Sequence, residues 1–496
     1  MTVAALPLII QGGMGIAVSN WKLASAVAAA GQLGVISGTA LDSVFVRRLQ
    51  DGDPGGAIRR ALANFPKPEV ATEILRKYFK PHGRAPDEPY ASLPMYKQAV
   101  SKFREQVTIA ANYVEVWLAK EGHGGRVGIN LLTKVQMPTL PSLYGAMLAG
   151  VDVVLMGAGI PREIPGALDA LAVQAPAVLK LDVDQAAGQQ FTLSFDPAEH
   201  GMTDVALKRP QFYAIVSSHT LATNLSRKAT GKVDGFIVEG ATAGGHNAPP
   251  RGALQLNERG EPIYGERDAC DLAAMRELGV PFWLAGSFGS PDGLQQALRE
   301  GAAGIQVGTA FAYSDESGFA PEVKRQVLTD VAEGRASIFT DPRASPTGFP
   351  FKVVRTPSIA QQDDTRERCC DLGYLRTAAL REDGRLVYRC SAAPVREYTN
   401  SGGTEEDTVG RRCLCNGLMA VIGLGQLRKN GKVEPPMITS GDYVIELSHV
   451  ARGRTSYSAA EVLAYLLGEP AATSALVEEP AATSAYVEEP AVATTA

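Results

Sequence analysis

Short apolar runs alternate with helical patterns over about the first two-thirds of the chain. The runs are "PLIIQ", "GVISG", "RVGINLL", "DVVLMGAG", "FYAIVSS", "GFIVEG", "PFWLAGS" and "GIQVGTAF". Consecutive apolar positions indicate strands that are buried on both faces, which is typical of parallel strands covered by helices. Eight such strands in about 300 residues predict an α/β fold, a (β/α)8 TIM barrel, with an open doubly wound sheet as the alternative.

The same pattern divides the chain into segments. A barrel is predicted over residues 1–335, with a helical insertion at 50–125 and a β insertion at 177–200. Residues 336–467 are irregular and rich in arginine and cysteine, and we interpret them as a smaller C-terminal domain or a lid on the barrel. Residues 468–496 repeat a unit rich in alanine, glutamate and proline that cannot bury a core, so a disordered tail is predicted there.

Composition narrows the classes of partner. The net charge is only -5 over 496 residues and no lysine or arginine stripe is present, which argues against nucleic acid and membrane surfaces as partners. The first apolar run has no basic flank and is too short for a signal peptide, and no cysteine precedes Cys270. We therefore expect a cytoplasmic protein that acts on a small molecule, and a homo-oligomer is compatible with this interpretation.

Glycine-bearing sequences follow four of the predicted strands. They are "QGGMG" at 11–15, "GGH" at 244–246, "AGSFGS" at 285–290 and "QVGT" at 306–309, which includes Gln306. Glycine lets backbone N–H groups approach an anion, and the last two strands of a barrel commonly bind phosphate. A tight turn explains any one of these sequences equally well. Their joint placement favours a phosphorylated cofactor, and no Rossmann or P-loop motif competes with it.

The order of "QGGMG", "GVISG", "GIN", "VEGATAGGH", "LAGSFGS" and "GIQVGTAF" resembles the FMN-dependent nitronate monooxygenases, once called 2-nitropropane dioxygenases, and the related flavin-dependent enoyl-reductases. The resemblance covers roughly residues 5–335. It implies a flavin site, in which His246 is the catalytic residue. The cofactor contacts that it implies come from Gly13, Met14, Asn130, Glu239, Gly244, Gly245, Gly286, Ser287, Gln306, Gly308 and Thr309.

Within that site, the resemblance implies distinct roles. Gly13 and Met14 line the flavin ring, and Asn130 bonds to the cofactor. Gly286, Ser287, Gly308 and Thr309 hold the FMN phosphate. Glu239 stands where many nitronate monooxygenases have glutamine, which is closer to the enoyl-reductase branch.

The resemblance implies two candidate functions, and a third function is the alternative to an enzyme. The first is oxidation of alkyl nitronates with O2 to carbonyl compounds and nitrite, with His246 taking an α-proton or holding the nitronate. The second is reduction of an enoyl thioester with NAD(P)H and FMN in fatty-acid or polyketide synthesis, with an acyl carrier protein as partner. The third is a non-catalytic phosphate-binding barrel that serves as a scaffold.

Five of the six cysteines lie between 369 and 415. Four of the five, Cys370, Cys390, Cys413 and Cys415, are candidate thiolate ligands of zinc or an iron–sulfur cluster. The spacing lacks paired C-x2-C sequences, so reduced structural thiols are the alternative interpretation.

Overall fold

A computed structural model describes residues 6–469 of the chain. Its strands are β1 (Ile9–Gln11), β2 (Gly34–Ser37), β3 (Val127–Leu132), β4 (Val153–Gly157), β5 (Ala177–Leu181), β6 (Val183–Asp184), β7 (Phe191–Phe195), β8 (Gln211–Val216), β9 (Gly235–Glu239), β10 (Phe282–Ala285), β11 (Gly304–Val307), β12 (Ser337–Asp341), β13 (Phe351–Arg355), β14 (Thr377–Leu380) and β15 (Leu386–Arg389).

Eight of these strands form one parallel sheet in the order β1-β11-β10-β9-β8-β4-β3-β2. The sheet closes between its two ends, where the Gln11 N–H donates to the Leu33 carbonyl over 2.9 Å and the Leu33 N–H donates to the Ile9 carbonyl over 3.2 Å. The predicted (β/α)8 barrel is therefore confirmed, and its eight strands coincide with the eight apolar runs seen in the sequence, except that β8 begins one residue earlier, at Gln211. The open sheet is excluded.

The barrel interior is a packed apolar core. Ile10, Val35, Leu155 and Trp283 are all fully buried in it. The Trp283 indole N–H donates to the Pro7 carbonyl over 2.8 Å, which satisfies its one polar atom. Because side chains fill this interior, a ligand can enter only at the ends of the strands.

The helices are α1 (Trp21–Ala29), α2 (Leu41–Gln50), α3 (Ala57–Leu62), α4 (Pro68–Tyr78), α5 (Lys102–Lys120), α6 (Thr139–Leu148), α7 (Ile164–Ala172), α8 (Pro197–His200), α9 (His219–Lys228), α10 (Leu272–Glu277), α11 (Pro291–Arg299), α12 (Thr309–Ala312), α13 (Pro321–Ala332), α14 (Val395–Asn400), α15 (Leu414–Ala420), α16 (Ser448–Ala451) and α17 (Ala459–Leu467). Asn20 caps α1 by accepting the Leu23 N–H over 3.0 Å. The long helix α5 packs between α1 and α6, so it belongs to the outer ring, whereas α3 and α4 are additional.

Segment 177–200 forms an antiparallel pair, β5 with β7. The short strand β6 between them pairs with β14, which connects this segment to residues beyond 336. The helical and β insertions therefore both lie on a barrel scaffold that remains closed.

The C-terminal residues pack directly on the barrel. Strands β12 and β13 form one antiparallel pair and β14 and β15 another, and α17 lies against α1 and α11. Buried side chains of this region, among them Val354, Ile438 and Leu466, share one continuous core with the barrel. The predicted disordered tail lies almost entirely outside the described residues.

Candidate active site

The carboxyl ends of the barrel strands surround a cavity of about 210 Å³, which we call the large cavity. Every residue that the sequence assigned to the flavin site lies on its wall. These residues are Gly13, Met14, Asn130, Glu239, Gly244, Gly245, His246, Gly286, Ser287, Gln306, Gly308 and Thr309. The fold brings them together because parallel strands end on the same side of a barrel. Their individual roles toward a cofactor remain predictions.

Glycine is required at several points of the wall by close contacts. A Cβ on Gly13 would lie 2.4 Å from the Asn130 Cβ, and a Cβ on Gly244 would lie 2.6 Å from the Gly441 nitrogen. Both distances are too short for carbon atoms. At these two positions the backbone itself therefore forms the cavity wall, and a planar group can lie close against it.

The side chain of Asn130 has an unused acceptor. Its Nδ2 donates to the Gly13 carbonyl over 3.2 Å, while its buried Oδ1 has no hydrogen-bond partner among residues 6–469. A buried acceptor without a partner is unfavourable by roughly 1–3 kcal/mol. A ligand that carries an N–H group, as an isoalloxazine does, would satisfy it. This unused acceptor on the wall therefore fits the flavin that the resemblance implies.

The tip of β10 has an unusual backbone. Gly286 and Ser287 follow one another with φ of +90° and +60°. Serine rarely adopts this left-handed conformation, which stores strain of about 1–3 kcal/mol and is concentrated at functional sites. The same loop leads to Ser290, whose hydroxyl caps α11 by accepting the Gly293 N–H over 3.0 Å. The loop is therefore fixed in shape, as a phosphate cradle needs.

The side chain of His246 is held in place by contacts with Ser345 and Phe351. Its Nε2 lies 2.7 Å from the hydroxyl of Ser345, and its ring packs edge-on against Phe351 with centroids 4.9 Å apart. Ser345 is fully buried and does not line the large cavity. Burial lowers the pKa of His246 to about 4, so the imidazole is neutral at pH 7.

Glu239, at the end of β9, is the one carboxyl group that residues 6–469 place on the wall of the large cavity. Burial raises the pKa of its carboxyl to about 8. The side chain is therefore protonated at pH 7 and can donate a hydrogen bond. In this state it resembles the glutamine that many nitronate monooxygenases have here.

Residues of the C-terminal region form part of the cavity wall, and no motif in the sequence identified them. The Gly245 N–H donates to the Thr439 hydroxyl, and the Gly441 N–H donates to the Thr309 hydroxyl, both over 3.0 Å. Ser440 and Tyr443 also line the wall. Residues 439–443 have no periodic pattern or known motif. The only indication in the sequence that they lie near the site was the interpretation of 336–467 as a lid on the barrel.

Backbone hydrogen bonds join the histidine loop to the same region. The Lys352 N–H donates to the Gly245 carbonyl, and the Asn247 N–H donates to the Pro350 carbonyl, both over 2.9 Å. His246 and Phe351 form an antiparallel bridge between them. The loop is thus paired with the beginning of β13 as a short ribbon.

The candidate metal ligands lie elsewhere. Cys370, Cys390, Cys413 and Cys415 line a second, smaller cavity, which we call the cysteine cavity. Within residues 6–469, no group of three or more histidine, cysteine or acidic side chains could hold a metal ion. No helix in the same part of the chain is long and apolar enough to cross a membrane. The cytoplasmic location stays a prediction.

Comparison with known proteins supports the resemblance drawn from the motifs. Residues 168–409 match the family model described as nitronate monooxygenase. This match includes β9, the histidine loop and the tips of β10 and β11, and it extends past the barrel into the C-terminal region. The expected resemblance to nitronate monooxygenases is therefore confirmed.

Curated relatives match over shorter stretches. A (3aS,4S,5R,7aS)-5-hydroxy-7a-methyl-1-oxo-octahydro-1H-indene-4-carboxyl-CoA dehydrogenase of Mycobacterium tuberculosis is 29% identical over 173 residues, 35% of this chain and 42% of the relative. A probable nitronate monooxygenase of Bacillus subtilis is 36% identical over 96 residues, 19% of this chain and 26% of the relative. The chain thus spans less than half the length of these relatives.

Among solved structures, a nitroalkane oxidase from Streptomyces ansochromogenes aligns with 94% of this chain and 96% of its own, at 15% identity and a TM-score of 0.47. FabK from Thermotoga maritima aligns with 94% and 92%, at 16% identity and a TM-score of 0.44.

Proposed function

We propose that this chain, whose residues 168–409 match the nitronate monooxygenase family, is a flavin-dependent oxidoreductase that binds FMN in the large cavity. One observation carries the proposal: all the glycines, the asparagine and the histidine that the motifs single out lie on one cavity wall. The unused Asn130 acceptor and the left-handed Ser287 lie on this same wall, which favours a cofactor site over a scaffold.

The proposed reaction is the oxidation of an alkyl nitronate with O2 to a carbonyl compound and nitrite. When bound, FMN supplies the two-electron chemistry. Gly286, Ser287, Gly308 and Thr309 would hold its phosphate, and Gly13, Met14 and Asn130 its ring. Glu239 and Gln306 would face the cofactor from the ends of β9 and β11.

In this proposal His246 acts as the base that takes the α-proton of a nitroalkane, which yields the nitronate that is then oxidised. Because its imidazole is neutral at pH 7, it can accept a proton or a hydrogen bond without first losing one. With Nε2–H donating to Ser345, Nδ1 keeps the lone pair and is the nitrogen available to substrate. Ser345 is then a positioning residue, which fixes the ring.

The test is a nitrite assay on purified protein with a primary nitroalkane under air. We expect yellow protein that releases nitrite, and a loss of at least about a hundredfold in kcat/KM for His246→Ala. His219→Ala is the matched control, because His219 begins α9 and does not line the large cavity. Colourless protein that takes up no FMN contradicts the flavin site and favours the scaffold.

A second candidate is reduction of an enoyl thioester with NAD(P)H. It is favoured by Glu239 and by the relative named as a carboxyl-CoA dehydrogenase. Rapid anaerobic bleaching of the flavin by NAD(P)H, followed by reoxidation with an enoyl thioester, would identify it. An acyl carrier protein would then be the partner that delivers the substrate. Nitrite release without such bleaching supports the monooxygenase instead.

A further inference from the structure

Apolar side chains from three separate segments line one part of the large cavity. Leu132 ends β3, Phe351 begins β13, and Leu418 lies in α15. The resemblance to the flavin enzymes assigns none of these three residues to the cofactor. Wall that remains after the cofactor contacts have been assigned is where a substrate would bind.

The alternation of side chains along β3 fixes the direction of Leu132. Successive side chains of a strand point to opposite faces, so Leu132 points to the same face as Asn130. The burial pattern agrees, because both are half-buried at the cavity whereas Leu131 between them is buried. Asn130 has the unused acceptor that fits a flavin ring. Leu132 therefore lies next to the position of the ring, one step farther along the strand.

Leu418 connects Leu132 to the catalytic histidine. It packs against two apolar clusters of buried side chains, and Leu132 packs against the first of these as well. The second cluster contains Phe351, whose ring packs edge-on against His246 with centroids 4.9 Å apart. The wall that runs from Asn130 to His246 is therefore apolar.

The helix that carries Leu418 is held firmly in place. The Cys413 N–H donates to the Gln362 side-chain oxygen over 2.9 Å, and the Gln362 side-chain N–H donates to the Cys413 carbonyl over 3.0 Å. One residue before Leu418, the Gly417 carbonyl accepts the Met437 N–H over 3.1 Å. Leu418 therefore has a fixed position, and it limits the space beside the histidine.

The same part of the wall offers no partner to a charged group. Among residues 6–469, no lysine, arginine or aspartate lines the large cavity. Lys134, two residues beyond Leu132, is exposed and does not line it. The glycine loops can offer backbone N–H groups to the FMN phosphate, but Leu132, Phe351 and Leu418 have apolar side chains. A carboxylate placed against them would be buried without a partner, which is strongly unfavourable.

We propose that Leu132, Phe351 and Leu418 form an apolar subsite that binds an uncharged hydrocarbon chain of the substrate beside His246, and that Leu418 sets the length of chain that fits. This inference rests on the proposed function, because it names the substrate class of the same site. That class is aliphatic nitroalkanes whose chain carries no charge. A subsite of this kind selects substrates through the number of CH2 groups that it can bury.

Nitrite release from a series of primary nitroalkanes, 1-nitropropane to 1-nitrooctane, tests the subsite. In the parent, kcat/KM should rise roughly fourfold with each added CH2 group until the chain reaches Leu418, because each buried CH2 group favours binding. 4-Nitrobutanoate has a carboxylate where 1-nitropentane has the end of its chain, and its kcat/KM should be lower by at least about a hundredfold.

Variants of Leu418 should move the longest chain that fits. Leu418→Ala removes three carbon atoms, so this limit should lengthen by roughly two or three carbon atoms. Leu418→Phe fills the subsite and should shorten the limit, so the assignment is tested in both directions even where one variant does not fold. Leu375→Ala is the matched control, because Leu375 packs against the same two clusters but does not line the large cavity.

Straight-chain 1-alkanols, which have no acidic α-proton, report binding without turnover. Their dissociation constants, measured from the shift in flavin absorbance, should show the same limit of chain length and the same change in Leu418→Ala. If alcohols bind in this pattern but no nitroalkane releases nitrite, the proposed function fails and the subsite stands. If nitrite is released but the limit is the same in Leu418→Ala as in Leu375→Ala, the subsite is wrong and the function stands. Colourless protein contradicts both.

Discussion

At the scale of single residues, burial shifts the pKa values of His246 and Glu239, which both line the large cavity, in opposite directions. It keeps the His246 imidazole neutral and the Glu239 carboxyl protonated at pH 7, so neither group carries charge there. Each group also makes the free energy of unfolding depend on pH, because its pKa differs between the folded and unfolded chain. The two effects can be measured separately.

The contact between Ser345 and His246 leads to the first prediction. Ser345→Ala removes the partner of Nε2, so we expect kcat to fall by roughly tenfold to a hundredfold while FMN content stays unchanged. Ser345→Thr keeps the hydroxyl and should retain most activity. In the parent, the acid limb of kcat/KM should lie near pH 4 rather than 6.5, because burial lowers the pKa of His246. A limb at pH 6.5 in both proteins would contradict this role.

The second prediction concerns Glu239→Gln. The folded carboxyl has a pKa of about 8 against a reference value of 4.5, so between these values the folded chain binds the extra proton and stability falls as pH rises. Glutamine removes this dependence. At roughly 1.4 kcal/mol per pKa unit, the variant should be more stable by roughly 3 kcal/mol at pH 7 and equal to the parent near pH 4. Melting temperatures across this range measure the gap, and a gap that does not vary with pH would exclude the ionisation.

At the scale of elements, a buried ion pair connects the helices near the start of the barrel to the C-terminal region. Arg104 of α5 donates to the Asp42 carboxylate of α2 over 2.7 Å, and both side chains are 3% exposed. Tyr374 also donates to Asp42. Burial alone would raise the pKa of Asp42, but Arg104 and Tyr374 outweigh it and hold the pKa below its usual value. This pair contributes stability at neutral pH that is lost as the pH falls through the lowered pKa.

Asp42→Asn should therefore destabilise the protein by about 3–5 kcal/mol, because it leaves the Arg104 charge buried without its partner. A lower urea midpoint at pH 7 is the expected result. Asp87→Asn is the matched control, because Asp87 is exposed on the surface and should leave the midpoint unchanged. An equal midpoint in the parent and Asp42→Asn would show that the pair adds no net stability.

The elements of the barrel could be predicted because each parallel strand is an apolar run, and the candidate site could be predicted because four of these strands end in glycine-bearing loops. "GFIVEG" predicted β9, and the following "GGH" predicted the position of His246 on the cavity. Ser345 and Thr439 could not be predicted in the same way. They lie in irregular segments about 100 and 190 residues from their partners, and contacts over such distances in the chain leave no periodic pattern.

At the scale of the whole molecule, the barrel and the C-terminal region act as one unit. They share one core, α17 packs on α1 and α11, and residues 439–443 form part of the wall of the large cavity. No residue of α17 lines the large cavity, but the Tyr465 hydroxyl of α17 lies 3.1 Å from the Tyr443 hydroxyl on its wall, so a weakened α17 should affect the site. The fourth prediction tests this dependence.

Leu466→Asp places an unpaired charge on the buried face of α17. We expect a lower melting temperature and weaker FMN retention on gel filtration, because the wall at 439–443 loses its support. Ala460→Asp puts the same charge on the exposed side of the same helix and is the matched control. Full FMN retention in a folded Leu466→Asp variant would show that the wall is independent of α17.

The ribbon formed by the histidine loop and the beginning of β13 also affects when a cofactor can enter the barrel during synthesis. Its C-terminal strand is synthesised about 100 residues after His246, so the mouth of the barrel is open until late in translation. A prosthetic group can enter before that strand pairs, and afterwards Phe351 of the strand forms part of the cavity wall. Exchange of bound FMN for free labelled FMN should therefore be much slower than turnover, with the flavin acquired once in the lifetime of each molecule.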